Sequence, residues 1–346
     1  MGEGGVKGVA HSGAEAPWPA DLWGRRSFVR PVPRCNETLG RMTARTPIVA
    51  PHEAYQVAEL RAGGVSRGRF RSADMRRVGR GVVLHPDAAY DSNTPRDQAV
   101  AVGQALSKEF FISRRSAALL WGIPAPVLPH GRVEVGSFSP LRAPRRPNIQ
   151  GHRVRSGALR WASVAGLTVP SAEDVWCQLA AVVPLTGLVA AGDFLISGSR
   201  TAGGRTRPLS TPTALAAAMR RHRGSTGAPL RRAALPLLRA PVDSPPETEL
   251  RLLIVAAGFP EPRVNCRIQA GSTVFHSDLG YPRRRVAIEY EGAYHFQSAA
   301  QMRRDLDRIE RIQGAEWQVL RVTAETLRSP RAFLQRLTGA LERAAR

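Results

Sequence analysis

Acidic residues recur at strand-like spacing within one apolar part of the chain, and this pattern constrains the fold more than any other feature. The segment 275–295 carries Asp278, Glu289 and Glu291 among aliphatic and aromatic residues. Because side chains alternate between faces along a strand, Glu289 and Glu291 are predicted to share one face. Neighbouring carboxylates repel one another and are costly to bury unless a cation neutralises them. The segment therefore predicts strands that present acids to a hard cation such as Mg²⁺, which binds through one or two carboxylates.

The elements predicted on either side of this segment alternate between helix and strand. Ser244 is expected to cap a helix whose first residue is Pro245 and which ends at Gly258. The elements predicted after it are strands near 264–268, 273–279 and 285–291, a helix over 299–313, a strand over 317–322 and a terminal helix from 331. The order α-β-β-β-α-β-α predicts an α/β unit of about a hundred residues.

That order and those acids resemble the PD-(D/E)XK nuclease superfamily, in the branch similar to very-short-patch-repair endonucleases. The resemblance covers residues 244 to about 330. The motifs that carry it are Ser244-Pro-Pro-Glu247, Asp278, Glu289-Tyr-Glu291-Gly-Ala-Tyr-His295, Asp305-x-x-Arg308 and Trp317-x-Val-x-Arg321-Val. It implies a restriction-endonuclease-like fold and nuclease activity.

The resemblance also implies a metal site and a general base. Asp278 and Glu289 would hold Mg²⁺, with the backbone carbonyl of Tyr290 completing the inner shell. Glu291 stands where the superfamily usually has lysine, and we place it in the metal site with the other two acids. Because no lysine lies nearby, we expect His295 to be the general base, since imidazole titrates near neutral pH.

Further residues of this region are predicted to act on the phosphate. Arg304, Arg308 and Arg321 are expected to stabilise the phosphorus as it gains negative charge, and Arg304 and Arg308 to bind nucleic acid. Glu247 joins the predicted catalytic residues through the resemblance.

Several of these residues have a structural alternative. Glu247 lies three residues after Ser244, which is the spacing of a capping box. Glu289 and Glu291 could instead flank an exposed strand face and pair with the arginines of 283–285.

The same holds for the residues that follow. Asp305 and Arg308 have the i, i+3 spacing of a pair on a solvated helix face. His295 could be a polar loop residue, and Trp317 is expected in the core. Arg321 lies in an otherwise apolar strand, where one of the site acids would be its partner.

A basic helical pattern lies earlier in the chain. A helix is predicted over Glu53–Ala62, and Ser66 is expected to cap a second helix that ends near Met75. Arg77–Leu84 is β-rich and predicts a hairpin. This layout is that of a winged helix-turn-helix, and the alternative is a small helical domain with solvated arginines. The arginines predicted to bind nucleic acid are Arg67, Arg69 and Arg71 in the major groove, and Arg76, Arg77 and Arg80 at phosphates.

This part of the chain resembles the winged helix-turn-helix of AbiEi-type antitoxins over residues 50 to about 125. The segments that carry the resemblance are Val57-Ala-Glu-Leu-Arg-Ala-Gly-Gly-Val-Ser-Arg67 through Gly79-Arg-Gly-Val-Val83, and then Ile112-Ser-Arg-Arg-Ser-Ala-Ala-Leu-Leu-Trp-Gly-Ile-Pro124. It implies a DNA-binding part.

Together these patterns predict a protein of the α/β class (α+β overall) with four regions. The regions are a disordered extension over 1–48, a winged helix-turn-helix region over 49–125, a mixed α/β region over 126–240 and a restriction-endonuclease-like domain over 241–346. The elements predicted between the two motif-bearing parts are helices over 97–106, 117–122, 172–183 and 185–197 and from 212, with strands near 132–135, 152–154 and 167–169. No catalytic cluster is predicted over 50–240.

The charge balance favours a polyanionic partner, most simply DNA. The chain has 50 Lys and Arg against 28 Asp and Glu, a formal net charge of +22. Only Lys7 and Lys108 are lysines, an arginine bias typical of genome-wide coding preference, which weakens this inference.

Other features predict the compartment. Cys35, Cys177 and Cys266 fit no zinc spacing and indicate a reduced, cytoplasmic protein. No secretory signal or membrane-spanning stretch is expected, and no small-molecule cofactor is evident.

We therefore predict a DNA-binding protein with a Mg²⁺-dependent endonuclease domain. The alternative is an antitoxin-like transcriptional regulator whose nuclease fold is degenerate and inactive, which the missing lysine favours. An RNA-directed or toxin-type nuclease would share the same site and differ only in its substrate.

Overall fold

The protein is of the mixed α/β class, as predicted. In a computed structural model of the chain, the described residues are 54–56, 61, 76–79, 82–84, 94–104, 106–128, 131–143, 148–155, 157–201, 203–292 and 299–343. The segments described by their backbone alone are 54–56, 76–79, 82–84, 299–302 and 304–306.

The described strands are β1 (Ala54–Gln56), β2 (Arg76–Gly79), β3 (Val82–Leu84), β4 (Phe110–Ile112), β5 (Val133–Phe138), β6 (Ile149–Val154), β7 (Trp161–Val164), β8 (Leu167–Pro170), β9 (Arg200–Thr201), β10 (Gly204–Arg205), β11 (Arg263–Ala270), β12 (Thr273–Tyr281), β13 (Val286–Glu291) and β14 (Gln318–Thr323). The described helices are α1 (Pro95–Gln104), α2 (Arg114–Trp121), α3 (Ala172–Leu179), α4 (Leu185–Ser197), α5 (Pro212–Arg221), α6 (Ala228–Ala234), α7 (Pro245–Ala256), α8 (Ala299–Gly314), α9 (Ala324–Arg328) and α10 (Arg331–Arg343).

The described chain divides into two compact units between Asn265 and Cys266, within β11. The first unit contains β1 to β10 and α1 to α7, and the second contains β12 to β14 and α8 to α10. Helix α7, which the sequence analysis grouped with the acidic strands, therefore belongs to the first unit.

Strands β1, β3 and β2 form an antiparallel sheet with β3 in the centre. The hairpin predicted over Arg77–Leu84 is confirmed, because β2 pairs with β3. The helix predicted over Glu53–Ala62 is wrong at Ala54–Gln56, which is a strand paired with Val82–Leu84. Cross-strand pairing outweighs a weak local preference for helix. The predicted second helix, up to Met75, lies outside the described residues.

Helices α3 and α4 form the centre of the first unit's core. Trp176 and Leu188 are both fully buried, and the Trp176 indole N–H donates to the Leu188 carbonyl at 2.9 Å. The apolar stretch that forms α4 is therefore a core helix. Among the described residues, no helix is long and apolar enough to cross a membrane.

Side chains cap some of the described helices. Thr211 and Ser171 accept hydrogen bonds from the backbone N–H of Ala214 and Asp174, so that their side chains cap α5 and α3. Ser113 is the N-cap residue of α2, but its side chain makes no capping bond.

A buried ion pair joins α4 to α7. Asp193 is fully buried and accepts from the Arg251 guanidinium at 2.9 Å, from the Thr248 hydroxyl at 2.8 Å and from the Arg239 backbone N–H at 2.6 Å. Burial raises the pKa of Asp193 to about 6, while Arg251 and the other donors act in the opposite direction. Arg251 is 1% exposed and also pairs with Glu261.

Strands β11 to β14 form a four-stranded sheet in the order β11-β12-β13-β14. Strand β12 pairs antiparallel with β13, and β13 pairs parallel with β14. A parallel pair needs a crossover connection, which α8 supplies. The order α-β-β-β-α-β-α is confirmed, with the short α9 added before the terminal helix. Trp317 lies in the core with Ile268, Ala287 and Ile312, as predicted.

We predict that Arg251→Leu destabilises the protein by about 3–5 kcal/mol near neutral pH, because Asp193 is left buried without its cation. Urea denaturation of the full chain measures the loss. Because a protonated carboxyl is cheaper to bury, the loss should shrink at acidic pH.

The matched control is Arg200→Leu, which removes an arginine that is 60% exposed and paired with Asp243. An exposed pair contributes about 1 kcal/mol or less. Equal losses in the two variants would contradict the importance assigned to the buried pair.

Candidate active site

The predicted acids lie where β12 and β13 cease to pair. The antiparallel register runs from Tyr281 opposite Val286 to Leu279 opposite Ile288, and Asp278 is the next residue along β12. The Tyr290 backbone N–H donates to Asp278 Oδ2 at 2.7 Å. The Asp278 carboxylate therefore lies beside the peptide group that joins Glu289 to Tyr290.

Glu289 is held by an arginine of α8. Arg308 donates to both carboxylate oxygens of Glu289, at 2.7 and 2.9 Å, and a further bond of 2.7 Å joins it to the His276 carbonyl. The planar guanidinium matches two carboxylate oxygens at once, which makes this a strong, directional contact. The Glu289 side chain is 15% exposed and that of Arg308 31% exposed. Arg308, predicted to contact phosphate, is thus bound to a predicted metal ligand.

Glu291 pairs with the neighbouring strand. Strands β13 and β14 place Glu289 in register with Arg321, and the Arg321 guanidinium lies 3.0 Å from a carboxylate oxygen of Glu291. A site acid is thus the partner of Arg321, as expected. The suggested pairing of these acids with the arginines of 283–285 is not seen, and Arg285 pairs with Glu316 instead.

The donor set at this place fits Mg²⁺ through two residues, Asp278 and Glu289. Mg²⁺ is commonly held by one or two carboxylates together with waters and substrate phosphates. Within the described part of the chain, no group of three His, Cys, Asp or Glu residues could hold a metal ion. Both oxygens of Glu289 accept hydrogen bonds from Arg308, so a cation bound there would share this carboxylate with Arg308 or displace it.

Glu247 has the contacts of a helix cap. Its carboxylate accepts from the Asp243 backbone N–H at 3.0 Å and from the Ser244 hydroxyl at 2.8 Å. The geometry differs from a capping box in two respects: the backbone N–H that Glu247 accepts belongs to Asp243 and not to Ser244, and the Ser244 side chain makes no bond to the helix N–H groups. Glu247 lies in the first unit, and its catalytic role stays a prediction.

Several predicted site residues cannot be placed. His295 lies outside the described residues, as do Arg67, Arg69, Arg71 and Arg80. The side chains of Arg76, Arg77, Arg304 and Asp305 are likewise outside the description.

The sequence analysis missed buried polar clusters in the first unit. Glu134 is fully buried and is bound by Arg115, and Asp174 is fully buried and is bound by Arg221 and His222. One signal was available: Glu134 stands between two valines, where an exposed acid would break the apolar pattern.

The chain is similar to proteins of Mycobacterium tuberculosis, one from strain CDC 1551 / Oshkosh and one from strain H37Rv, both described as uncharacterized. Each is 29% identical over 129 residues, covering 37% of this chain and 48% of the relative. The chain thus spans about half the length of the curated relatives it matches. No family model matches the chain. No solved structure matches it.

The two arginine–glutamate pairs at the site should differ in strength. Arg308→Met leaves a mostly buried Glu289 without its two-pronged partner, and we expect a loss of about 1–3 kcal/mol in the free energy of unfolding. Arg321→Met removes a pair whose side chains are 46% and 37% exposed, and we expect a loss below about 1 kcal/mol. Thermal and urea unfolding measure both. The reverse order would show that Arg308 is not the main partner of Glu289.

Proposed function

We propose that this is a DNA-binding, cytoplasmic protein whose second unit is a Mg²⁺-dependent endonuclease that hydrolyses phosphodiester bonds. The observation that carries the proposal is the hydrogen bond from Tyr290 N–H to Asp278, which holds the Asp278 carboxylate beside the peptide group between Glu289 and Tyr290. Asp278 and Glu289 lie on adjacent strands, and both are partly exposed.

The roles of the residues come from the resemblance, and the contacts are compatible with them. Asp278 and Glu289 would hold Mg²⁺, which when bound supplies an activated water and neutralises phosphate charge. Release of Arg308 from Glu289 would let its guanidinium pair with a phosphate oxygen. Arg321 is half exposed beside Glu291 and offers a second cation on the same strands. The net charge of +22 supports a nucleic-acid substrate.

A reducing compartment is supported by the thiols. Cys177 and Cys266, the cysteines within the described residues, are both free and buried. The absence of a disulfide between them accords with a cytoplasmic location.

The test is a nicking assay on the full chain with Mg²⁺, using supercoiled plasmid, mismatched duplex DNA and RNA in parallel. Asp278→Asn and Glu289→Gln each keep the shape of the side chain and remove its charge. We expect each to lower the cleavage rate by at least about 100-fold, because metal-assisted charge stabilisation contributes several kcal/mol.

The matched control is Glu316→Gln, which neutralises a carboxylate that is 78% exposed and should leave the rate unchanged. If all variants cleave at the same rate, the cleavage comes from a contaminating nuclease. If the wild-type protein cleaves none of the substrates, the proposal that it is an enzyme is wrong. Cleavage of RNA alone would replace DNA by RNA as substrate.

A second candidate function is favoured by the arginine pairs themselves. Glu289 and Glu291 are each paired with an arginine, and no lysine occupies the position where the resembling nucleases have one. On this view the protein is an antitoxin-like DNA-binding regulator whose nuclease fold is inactive.

The regulator makes a separate prediction. DNA affinity should be the same in Mg²⁺ and in EDTA at matched ionic strength, and it should fall steeply as salt rises, because phosphate contacts release counterions. Fluorescence anisotropy over a salt series measures both. If the wild-type protein cleaves DNA and Asp278→Asn does not, the nuclease fold is active and this second candidate function is wrong.

A further inference from the structure

A polar cluster at the start of α2 lies apart from the candidate active site and has no role in the proposed function. We call it the α2 cluster; its members are Ser113, Arg114, His152 and Gln178. The Ser113 hydroxyl lies 3.5 Å from His152 Nδ1, and the Arg114 backbone N–H donates to Gln178 Oε1 at 3.0 Å. Ser113 is fully buried and Gln178 is 7% exposed, so these groups have little access to water.

Two buried nitrogen atoms of the cluster lack partners. Within the part of the chain that the structure describes, Gln178 Nε2 and His152 Nε2 make no hydrogen bond. The amide orientation of Gln178 is fixed, because Oε1 already accepts from Arg114 and Nε2 must therefore be the free end. Buried polar groups in native proteins are nearly always matched. These two therefore point to a bound group.

Gln178 Nε2 is a hydrogen-bond donor, and His152 Nε2 is one in the tautomer in which Ser113 donates to Nδ1. Burial, helped by the charge of Arg114, lowers the pKa of His152 to about 3, so the ring is neutral. When Ser113 donates to Nδ1, the single ring hydrogen sits on Nε2. Gln178 Nε2 carries two hydrogens. The missing partner is accordingly an acceptor.

The charge of the cluster is positive. Glu134 is the carboxylate that faces it, and Arg115 binds that carboxylate through its backbone N–H at 2.8 Å and through its guanidinium at 3.1 Å. The Arg114 guanidinium lies 3.8 Å from Glu134, at the limit of an ion pair, and is 20% exposed. Two guanidinium groups therefore share one carboxylate, which leaves Arg114 able to bind an anion.

The backbone at Arg114 supports a functional constraint. Its φ of 48° lies in the left-handed region, which a non-glycine residue seldom adopts. Such strain persists where the surroundings impose it, and it clusters at ligand sites.

An aromatic group lies on the same face of the sheet. Gly136 is in register with Phe111 on one side and with His152 on the other, so these two side chains flank it. Phe111 and Phe138 pack against Trp161 with ring centroids 5.1 and 6.0 Å apart. Trp161 is 43% exposed and offers a surface on which a base can stack.

We infer that the α2 cluster binds a phosphate monoester, and that the ligand is the 5′-phosphorylated end of a nucleic-acid strand. The cluster combines two unpartnered nitrogens with a guanidinium that is 20% exposed. Because Ser113 and Gln178 are buried, a slim terminal phosphate suits the cluster better than an internal diester, which is flanked by sugars on both sides. The nucleic-acid part of this inference rests on the proposed function, and the phosphate part does not.

The experiment compares two oligonucleotides of identical sequence, one with a 5′-phosphate and one with a 5′-hydroxyl, by fluorescence anisotropy on the full chain in EDTA. We expect the phosphorylated strand to bind about tenfold more tightly, as for one or two charge-assisted hydrogen bonds. Inorganic phosphate, titrated by calorimetry, should bind at the same cluster.

The variants isolate the groups involved. Gln178→Glu keeps the acceptor for Arg114 N–H and replaces the Nε2 donor by a negative oxygen. Arg114→Gly removes the guanidinium at a φ that glycine adopts freely. Each should abolish the preference for the 5′-phosphate. The control is Arg153→Gln, which makes the same charge change at an exposed residue of β6 and should keep the preference.

The outcomes separate the claims. The inference is overturned if the wild-type protein binds both strands equally and takes up no phosphate. It is also overturned if the preference for the 5′-phosphorylated strand survives in Gln178→Glu and Arg114→Gly. Phosphate uptake lost in both variants but without strand preference overturns the nucleic-acid part alone. Phosphate uptake without any oligonucleotide binding means that the proposed function fails while the anion site stands.

If a variant fails to fold, a phosphate-dependent shift of the His152 ring resonances in the wild-type protein supports the site, and no shift opposes it.

Discussion

Pairing between guanidinium and carboxylate groups is the interaction on which the packing of this chain depends. Glu134, Asp174 and Asp193 are each fully buried, and an ionised carboxylate is tolerated there only with a cation and further hydrogen bonds. The partners are Arg115, Arg221 and Arg251 respectively. Each pair joins elements distant in sequence: α2 to β5, α5 to α3, and α7 to α4. The arginine-rich composition was interpreted above as a coding bias. Three of these arginines nevertheless bind buried carboxylates in the first unit.

The same interaction determines the chemistry available in the second unit. Arg308 joins α8 to β13 through Glu289 and so stabilises the crossover between the two parallel strands. If a divalent cation binds here, it competes with Arg308 for one carboxylate, and their relative affinities would decide between the two candidate functions. If the cation prevails, the acids hold it and Arg308 turns to the phosphate. If Arg308 prevails, the sheet is a stable scaffold without catalysis.

Local pattern was enough to predict many elements but not their partners. The bounds of α4 over 185–197 and the cap at Thr211 follow from apolar length and capping chemistry, which are properties of neighbouring residues. The acids of 278–291 were recognised because carboxylates are rare in apolar strands. Which arginine meets which acid depends on the tertiary arrangement, so Arg308 was expected at phosphate and found on Glu289. The strand at 54–56 was missed for the same reason, since its pairing partner is distant in sequence.

The two proposed phosphate-binding places differ in what their arginines do before a ligand arrives. In the α2 cluster, Arg115 binds Glu134 closely, and the Arg114 guanidinium lies 3.8 Å from the same carboxylate. Phosphate binding there would need no exchange of partners and should be independent of divalent cations. In the candidate active site, Arg308 makes two short bonds to Glu289, and a cation would share that carboxylate or displace the arginine. Removal of metal should therefore affect the two processes differently. Hydrolysis depends on a cation that competes with Arg308 for Glu289, whereas binding of a strand end at the α2 cluster does not.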